Sequence, residues 1–247
     1  MIENSREAAI RLFYYTSPNA RKVLMMLEEV GLEYEVHWVD ISAGDQHLAS
    51  YGTINPNRKV PALVDLCGPE GKPITLFESG AILLYLAEKT GRLLPSDTLR
   101  RWNVIRWLFW QTSSQGPLLG QAAHFVSHAA NRGLDVAYAA ERYRREAHRL
   151  YEVLDAQLGG REFIDGELSI ADLAIFPWVR VAKGQGVDIV DFPNVRRWCE
   201  AIATRPSARK KLDRDETTKL AAKTEYYTDE TWNRLFGGHS PTRPRSL

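Results

Sequence analysis

Cysteine is nearly missing from this chain: Cys67 and Cys199 are the only two among 247 residues. Two isolated thiols make neither a disulfide framework nor a thiolate metal site, and both are expected to act as small buried hydrophobes. A charge excess is missing as well. Lys and Arg number 32 against 31 Asp and Glu, a net charge of +1, so nothing electrostatic points to a nucleic acid or another polyanion as partner. No hydrophobic run is long enough for a bilayer: the most apolar stretch, AILLYLA over 81–87, falls far short of the roughly 20 residues required. The first ten residues, MIENSREAAI, carry charges and no apolar segment, so no secretory leader is expected and a reducing, cytoplasmic setting is. GxGxxG, the Walker loop and GxSxG are all absent, which removes the motif-based case for dinucleotide binding, phosphoryl transfer and serine-esterase chemistry. His124 and His128 stand four apart with no accompanying carboxylate motif, so no metal is expected.

What is present is ordinary for a soluble globular chain, with 44% hydrophobic and 26% charged residues, enough to bury a core in one or two domains. RLFYY at 11–15 reads as a strand. Ser17-Pro18 then opens a helix, Ser as N-cap and Pro at N1, with Val23, Leu24, Leu27 and Val30 at helical spacing and Gly31 as the stop. YEVHWVDI at 34–41, VPALVD and ITLF give three more strands, the last two joined by the turn CGPEGKP as an antiparallel hairpin. ESGAILLYLAEKTG closes this α/β unit as a helix ending at Gly91.

Beyond LLPSD no strand is legible. Helices are predicted over 101–112, 135–158, 169–182 and 194–206, with a loop at Gly116, Pro117 and Gly120. The 135–158 helix buries Tyr143, Ala147, Leu150, Tyr151, Leu154 and Leu158. Ser169 and Asp172 have capping-box spacing, Pro177 is expected to kink or end its segment, and Pro206 to end the last helix. The division is therefore 10–92, a linker at 93–99, an all-helical domain at 100–213, and an extension at 214–247 carrying Tyr226, Tyr227, Trp232 and Phe236.

Chemistry has three places to sit. The turn Tyr15-Thr16-Ser17-Pro18-Asn19 delivers hydroxyl and amide donors to a helix N-terminus, which stabilises anions including a thiolate; Ser17 could equally be a plain cap. Val60-Pro61 stands where Pro removes a ladder donor, suggesting a cis bond or a backbone edge free for a peptide-like ligand. Glu78-Ser79 opens a helix, where Ser79 suits a carboxylate and Glu78 an ammonium; Ser79 could also be only an N-cap. Arg142, with Arg144 and Arg145, reads from the residues alone as a solvated helix face.

In this order, YTSPNARKV, INPNRKVPALVD, LFESGAILLYLAEK, RWLFWQ, GPLLGQ, YAAERY and SIADLAIFPW resemble the cytosolic glutathione S-transferase family, and within it the bacterial Nu class. The resemblance runs from about residue 11 to 213. It implies a thioredoxin-like N-terminal domain, a C-terminal helical bundle and a homodimer. It also implies glutathione as cosubstrate rather than a permanently bound cofactor. Residue by residue, it places Ser17 and Asn19 at the glutathione sulfur as catalytic groups. Gln46 falls near the glycine end, the Val60 backbone on the cysteinyl part, Glu78 and Ser79 on the γ-glutamyl group, and Arg142 reaching in from the helical half. The implied activity is reduction of a disulfide without a catalytic cysteine. Conjugation of glutathione to an electrophile, or glutathione binding in a regulatory protein with little catalysis, are the alternatives. Tyr14 and Tyr15, just upstream, are expected to be core or wall residues, since alternation lets at most one face the site.

Overall fold

The computed structural model describes residues 8–212, 214 and 228–237. The chain divides into two compact units, one of residues 1–20, 33–77 and 211–247, the other of 21–32 and 78–210.

The first unit is built on a four-stranded sheet, β1 (Ile10–Tyr14), β2 (Tyr34–Trp38), β3 (Ala62–Asp65) and β4 (Ile74–Phe77), in the order β2-β1-β3-β4. β1 and β2 are parallel; β1–β3 and β3–β4 are antiparallel, the latter the expected hairpin. Alternation sets the two faces of β1. Ile10, Leu12 and Tyr14 are buried, while Phe13 stacks on His37, its register partner, with ring centroids 5.0 Å apart. β2 ends three residues before the sequence pattern does. Asp40 there folds the chain into an Asx turn, its carboxylate accepting from the Ser42 and Ala43 N–H groups. The polar stretch that follows contains a short helix, α2 (Ala49–Ile54), which its sparse apolar pattern did not announce. Of the extension, Tyr226 and Tyr227 lie outside the described residues. Asp229–Phe236 is helical, and its Arg234 Nη1 donates to the Ser42 carbonyl at 3.1 Å.

The opening helix, α1 (Pro18–Val30), crosses from one unit to the other at Arg21. The expected face of Val23, Leu24, Leu27 and Val30 is buried, but so are Met25, Met26 and Lys22. Over 22–27 the helix is thus buried on every side and runs through the core there, although Arg21, Glu28 and Glu29 keep its ends polar. At its far end Glu29 takes a bidentate pair from Arg205, both contacts 2.7 Å, and a bond from Ser207 Oγ. These hydrogen bonds hold the Glu29 carboxyl below its ordinary range against the opposing effect of burial.

The second unit continues with α3 (Ser79–Thr90), closed by Gly91 in the left-handed region as expected, and α4 (Thr98–Trp110), capped by Asp97. The loop expected at Gly116, Pro117 and Gly120 does not exist. A π-helical turn, Gln111–Gln115, leads into α5 (Gly116–Ala123) and a second π turn, His124–Ala129, with right-handed helical angles at every junction. The ladder slips by one residue where Gly116 N–H reaches Gln111 O, and Pro117, which has no N–H to give, follows that slip. Gly116 answers to close approach instead of a turn, since a Cβ there would stand 2.9 Å from Gln111 Nε2 and 3.2 Å from Gln111 O; one on Gly120 would make ordinary contact with the Trp178 ring at 3.4 Å.

α6 (Ala137–Leu158) buries Ala147, Leu150, Tyr151, Leu154 and Leu158 on the expected face, while Tyr143 is half-buried and stacks on Phe125. α7 (Ile170–Val179) carries the capping box of Ser169 and Asp172 and runs two residues past Pro177 rather than ending there. α8 (Pro193–Ala203) starts under Asp155, whose carboxylate accepts from the Asn194 and Val195 N–H groups. Pro206 does not merely end a helix; it opens the short α9 (Pro206–Arg209). The cysteine expectation holds for one thiol of two: Cys199 is buried, whereas Cys67 is exposed after β3. No helix among the described residues is long and apolar enough to cross a membrane.

Candidate functional site

In the sheet unit, the backbone ladder runs one step past β1, with Val39 N–H on Tyr14 O at 2.9 Å. Tyr14 and Tyr15 are both buried, and each lays its ring against Trp38, at 5.7 and 5.4 Å between centroids. They are wall residues. The chain then turns, and Ser17 Oγ accepts the Ala20 N–H at 3.2 Å. The capping reading of Ser17 is therefore correct. It does not exclude the other, because a hydroxyl that accepts one bond still has its proton to donate. Asn19 sits in the same first turn, half-buried.

Gln46 is buried in the loop after β2, its Nε2 donating to Ile41 O at 3.2 Å and its Oε1 without a hydrogen-bond partner among the described residues. Arg58 fixes that loop, its Nη1 reaching the His47 carbonyl at 2.6 Å and the Leu48 carbonyl at 3.1 Å. The Val60–Pro61 bond is cis. β3 itself is an interior strand, not an edge. The free backbone is instead that of Val60, just before it, which makes no hydrogen bond with described residues. The approach to Val60 is held by two residues the sequence pattern did not single out. Tyr51 Oη and Asn55 Nδ2 each donate to Lys59 O at 2.6 Å, and burial pushes the Tyr51 hydroxyl up to about 12. A cleft of about 310 Å³ beside Phe13, His37, Trp38 and Tyr51 contains none of these candidate residues.

In the helical unit, Glu78 is the residue before α3. It is exposed, adopts a left-handed φ of 69° and makes no side-chain cap; its carbonyl accepts the Ile82 N–H at 3.0 Å, while its side chain makes no hydrogen bond or ion pair with a described residue. A non-glycine residue held at positive φ is strained and often marks a functional position. Ser79 is the first residue of α3 and not its N-cap. Its Oγ accepts instead from Lys22 Nζ at 3.1 Å, and the same ammonium donates to Gln111 Oε1 at 2.5 Å. Lys22 and Gln111 escaped the sequence reading. The available signal was a lysine set inside an otherwise apolar run. Burial lowers the Lys22 ammonium from the usual 10.5 to about 7, with Glu78 opposing. Of the three α6 arginines singled out in the sequence, Arg144 and Arg145 pair with Glu141, and Arg142 is exposed and acts on Glu146. No hydrogen bond or ion pair joins Arg142 to Glu78 or Ser79. Among the described residues no group of His, Cys, Asp and Glu could hold a metal.

A mixed four-stranded sheet with a cis X-Pro before its third strand and a hydroxyl-bearing strand-to-helix turn is a thioredoxin-like unit, and all-helical elements follow it. Residues 16–89 match the family model for the glutathione S-transferase N-terminal domain, and residues 137–201 that for its C-terminal domain. The chain belongs to the glutathione S-transferase family. It is 44% identical over 205 residues to the disulfide-bond oxidoreductase YfcG of Escherichia coli K12, covering 82% of this chain and 94% of that one. Two solved structures are also similar. One is a glutathione transferase from Pseudomonas putida with one glutathione disulfide bound per subunit, with a TM-score of 0.79 at 40% identity over 84% of this chain and 92% of that one. The other is a family member from Pseudomonas fluorescens with two glutathione bound, with a TM-score of 0.77 at 42% identity over 82% of this chain and 91% of that one.

Proposed function

We propose that this chain is a glutathione-dependent disulfide-bond oxidoreductase that uses no cysteine of its own. The observation that carries the reading is the turn at Ser17, where a hydroxyl caps α1 and keeps its proton available beside Asn19. A free thiol titrates near ~8.5 and reacts as the thiolate. Lowering it by two units requires about 2.7 kcal/mol of preferential interaction with the anion, within reach of a helix N-terminus plus one or two side-chain donors. Ser17 and Asn19 hold the sulfur, the Val60 backbone pairs with the cysteinyl part, Gln46 lies toward the glycine end, Glu78 and Ser79 take the γ-glutamyl ammonium and carboxylate, and Arg142 adds a cation from α6.

The electrons balance over two glutathione molecules. The first thiolate attacks one sulfur of the substrate disulfide, forming a mixed disulfide and expelling the other half as a thiolate that takes up a proton. The second attacks the glutathione sulfur of that mixed disulfide, releasing glutathione disulfide and the remaining substrate thiol. The test is reduction of 2-hydroxyethyl disulfide by glutathione, coupled to glutathione reductase and NADPH. Turnover supports the reading. Turnover of an aromatic halide alone would make the protein a conjugating transferase, and binding without either would make it a regulator.

Neither thiol of the chain is placed to act. Cys199 is pushed up to about 11 by burial, and Cys67 follows the end of β3 that pairs with Ile10, opposite the Tyr14 end of β1 from which the Ser17 turn leads. The double variant Cys67→Ser/Cys199→Ser is expected to keep its disulfide reductase rate within about twofold, because a protonated buried thiol contributes no nucleophile. A folded double variant with no activity would overturn the cysteine-independent route. We place the reaction in the cytoplasm, where glutathione keeps thiols reduced.

We further propose a homodimer. Leu99, Trp102 and Phe109 fall along α4 at spacings of three and seven and are exposed, Trp102 and Phe109 each at 63%. Large apolar groups arrayed on one helix face mark an association surface. Trp102→Glu/Phe109→Glu is expected to sediment as a monomer where wild type sediments as a dimer; a wild-type monomer would refute this.

A further inference from the structure

Lys22 is a buried cation without a buried anion. Its side chain is 1% exposed, and its two hydrogen-bond acceptors, Ser79 Oγ and Gln111 Oε1, are both neutral. The charge acting on it is the Glu78 carboxylate, which is itself exposed and makes no direct pair with it. A desolvated ammonium in such surroundings is costly unless a negative charge arrives. Ser79, 6% exposed, shows the complementary lack: its oxygen accepts from Lys22, and its hydroxyl proton has no acceptor among the described residues. With a lone pair held by an ammonium, that proton has to point elsewhere. It stands at the first residue of α3, a twelve-residue helix whose N-terminus has no side-chain cap.

The surrounding backbone is shaped around this cluster. The π turn brings Gln111 to Lys22, and Gly80 lets that turn approach, since a Cβ there would stand 2.8 Å from Thr112 Cγ2. Lys22 sits one helical turn beyond Pro18, on the same α1 whose first turn holds Asn19.

We infer that Lys22 is a positioning residue for the γ-glutamyl α-carboxylate: seated on Ser79 Oγ, it commits the Ser79 hydroxyl to donate to that carboxylate and supplies the positive charge behind it. The inference rests on the glutathione reading given above and assigns a role within it to a residue that never touches the ligand. The lowered affinity of Lys22 for its proton in the unliganded protein agrees with it, because a charge awaiting its counter-charge is held weakly.

The test compares two ligands that differ by one group. S-methylglutathione keeps the α-carboxylate and has no thiol to ionise. Its 4-aminobutyryl analogue lacks only the carboxylate. Lys22→Met is expected to weaken S-methylglutathione about 30-fold and the analogue less than about threefold, as for loss of one partner of a desolvated charge pair. Equal weakening of both ligands would make Lys22 a merely structural residue and overturn the inference. If wild type binds neither ligand, the glutathione reading itself fails, a distinct result. Should Lys22→Met not fold, wild type decides. With [ζ-15N]lysine at pH 7.5, the Lys22 resonance is expected to move toward the ammonium position on saturation with S-methylglutathione and to stay with the analogue. An unmoved resonance with both ligands bound overturns the inference.

Discussion

Asn19→Ala is expected to lower kcat/KM for glutathione-dependent disulfide reduction about 100-fold, the usual cost of removing one preorganised donor from a developing or resident anion. Asn19 is the cleaner probe of the two candidates in the turn. Ser17 Oγ also caps α1 through Ala20 N–H, so Ser17→Ala gives up about 1 kcal/mol of stability together with the donor. In Asn19→Ala that cap is left in place. The pH–rate profile supplies the second readout. With one donor fewer, the thiol of bound glutathione titrates higher, so the activity of the variant recovers as pH rises toward the free-thiol value near ~8.5. A variant that stays within threefold of wild type across that range would remove Asn19 from the sulfur.

Asp172→Ala is the largest expected loss of stability, about 4 kcal/mol. The carboxylate is fully buried and has no cation beside it. It gathers four donors: Ile164 N–H at 3.0 Å and Trp198 Nε1 at 2.8 Å on one oxygen, Ser169 N–H at 3.0 Å and Ser169 Oγ at 2.9 Å on the other. Burial outweighs those bonds and pushes the Asp172 carboxyl up to about 6. Truncation orphans all four groups and leaves a void at the start of α7. Asp172→Asn keeps the shape but turns an NH2 group toward two donors. The Ser169 hydroxyl can rotate to accept from it, so an intermediate loss of about 2 kcal/mol is expected. Denaturant midpoints read both. A loss under about 1.5 kcal/mol for the alanine variant would show that the four bonds do not anchor the unit.

This capping box was legible because all its information is local: Ser and Asp three apart before an apolar run. The same holds for the strand pattern of β1, the stop at Gly91 and the hairpin of β3 and β4. Signals that depend on a distant residue were not legible. Asp155 caps α8 from 39 positions away, and no inspection of the α8 sequence shows it. Gly116, Pro117 and Gly120 read as a loop because those residues punctuate loops. For Gly116 and Pro117 the actual causes are a π slip and the nearness of Gln111. The candidate site divides in the same way. Ser17, Asn19, Val60, Glu78 and Ser79 stand out as turn and helix-start residues. Lys22 and Gln111 become visible only once burial is known, since a lysine in a helix ordinarily reads as solvated.

The pair at Glu29 carries a consequence for how the protein is made. Glu29 lies in the first eighth of the chain, and its partners are Arg205 and Ser207, 176 and 178 positions later. Arg21, in the same helix, likewise donates to the carbonyl of Ala208. As synthesis proceeds from the N-terminus, α1 leaves the ribosome early, while these four bonds wait for nearly the last of the helical unit. A nascent chain halted before residue 205 holds an early helix whose carboxylate lacks its hydrogen-bonded partner Arg205. Such long-range closure slows folding, so the helical unit is completed only after its last elements are made.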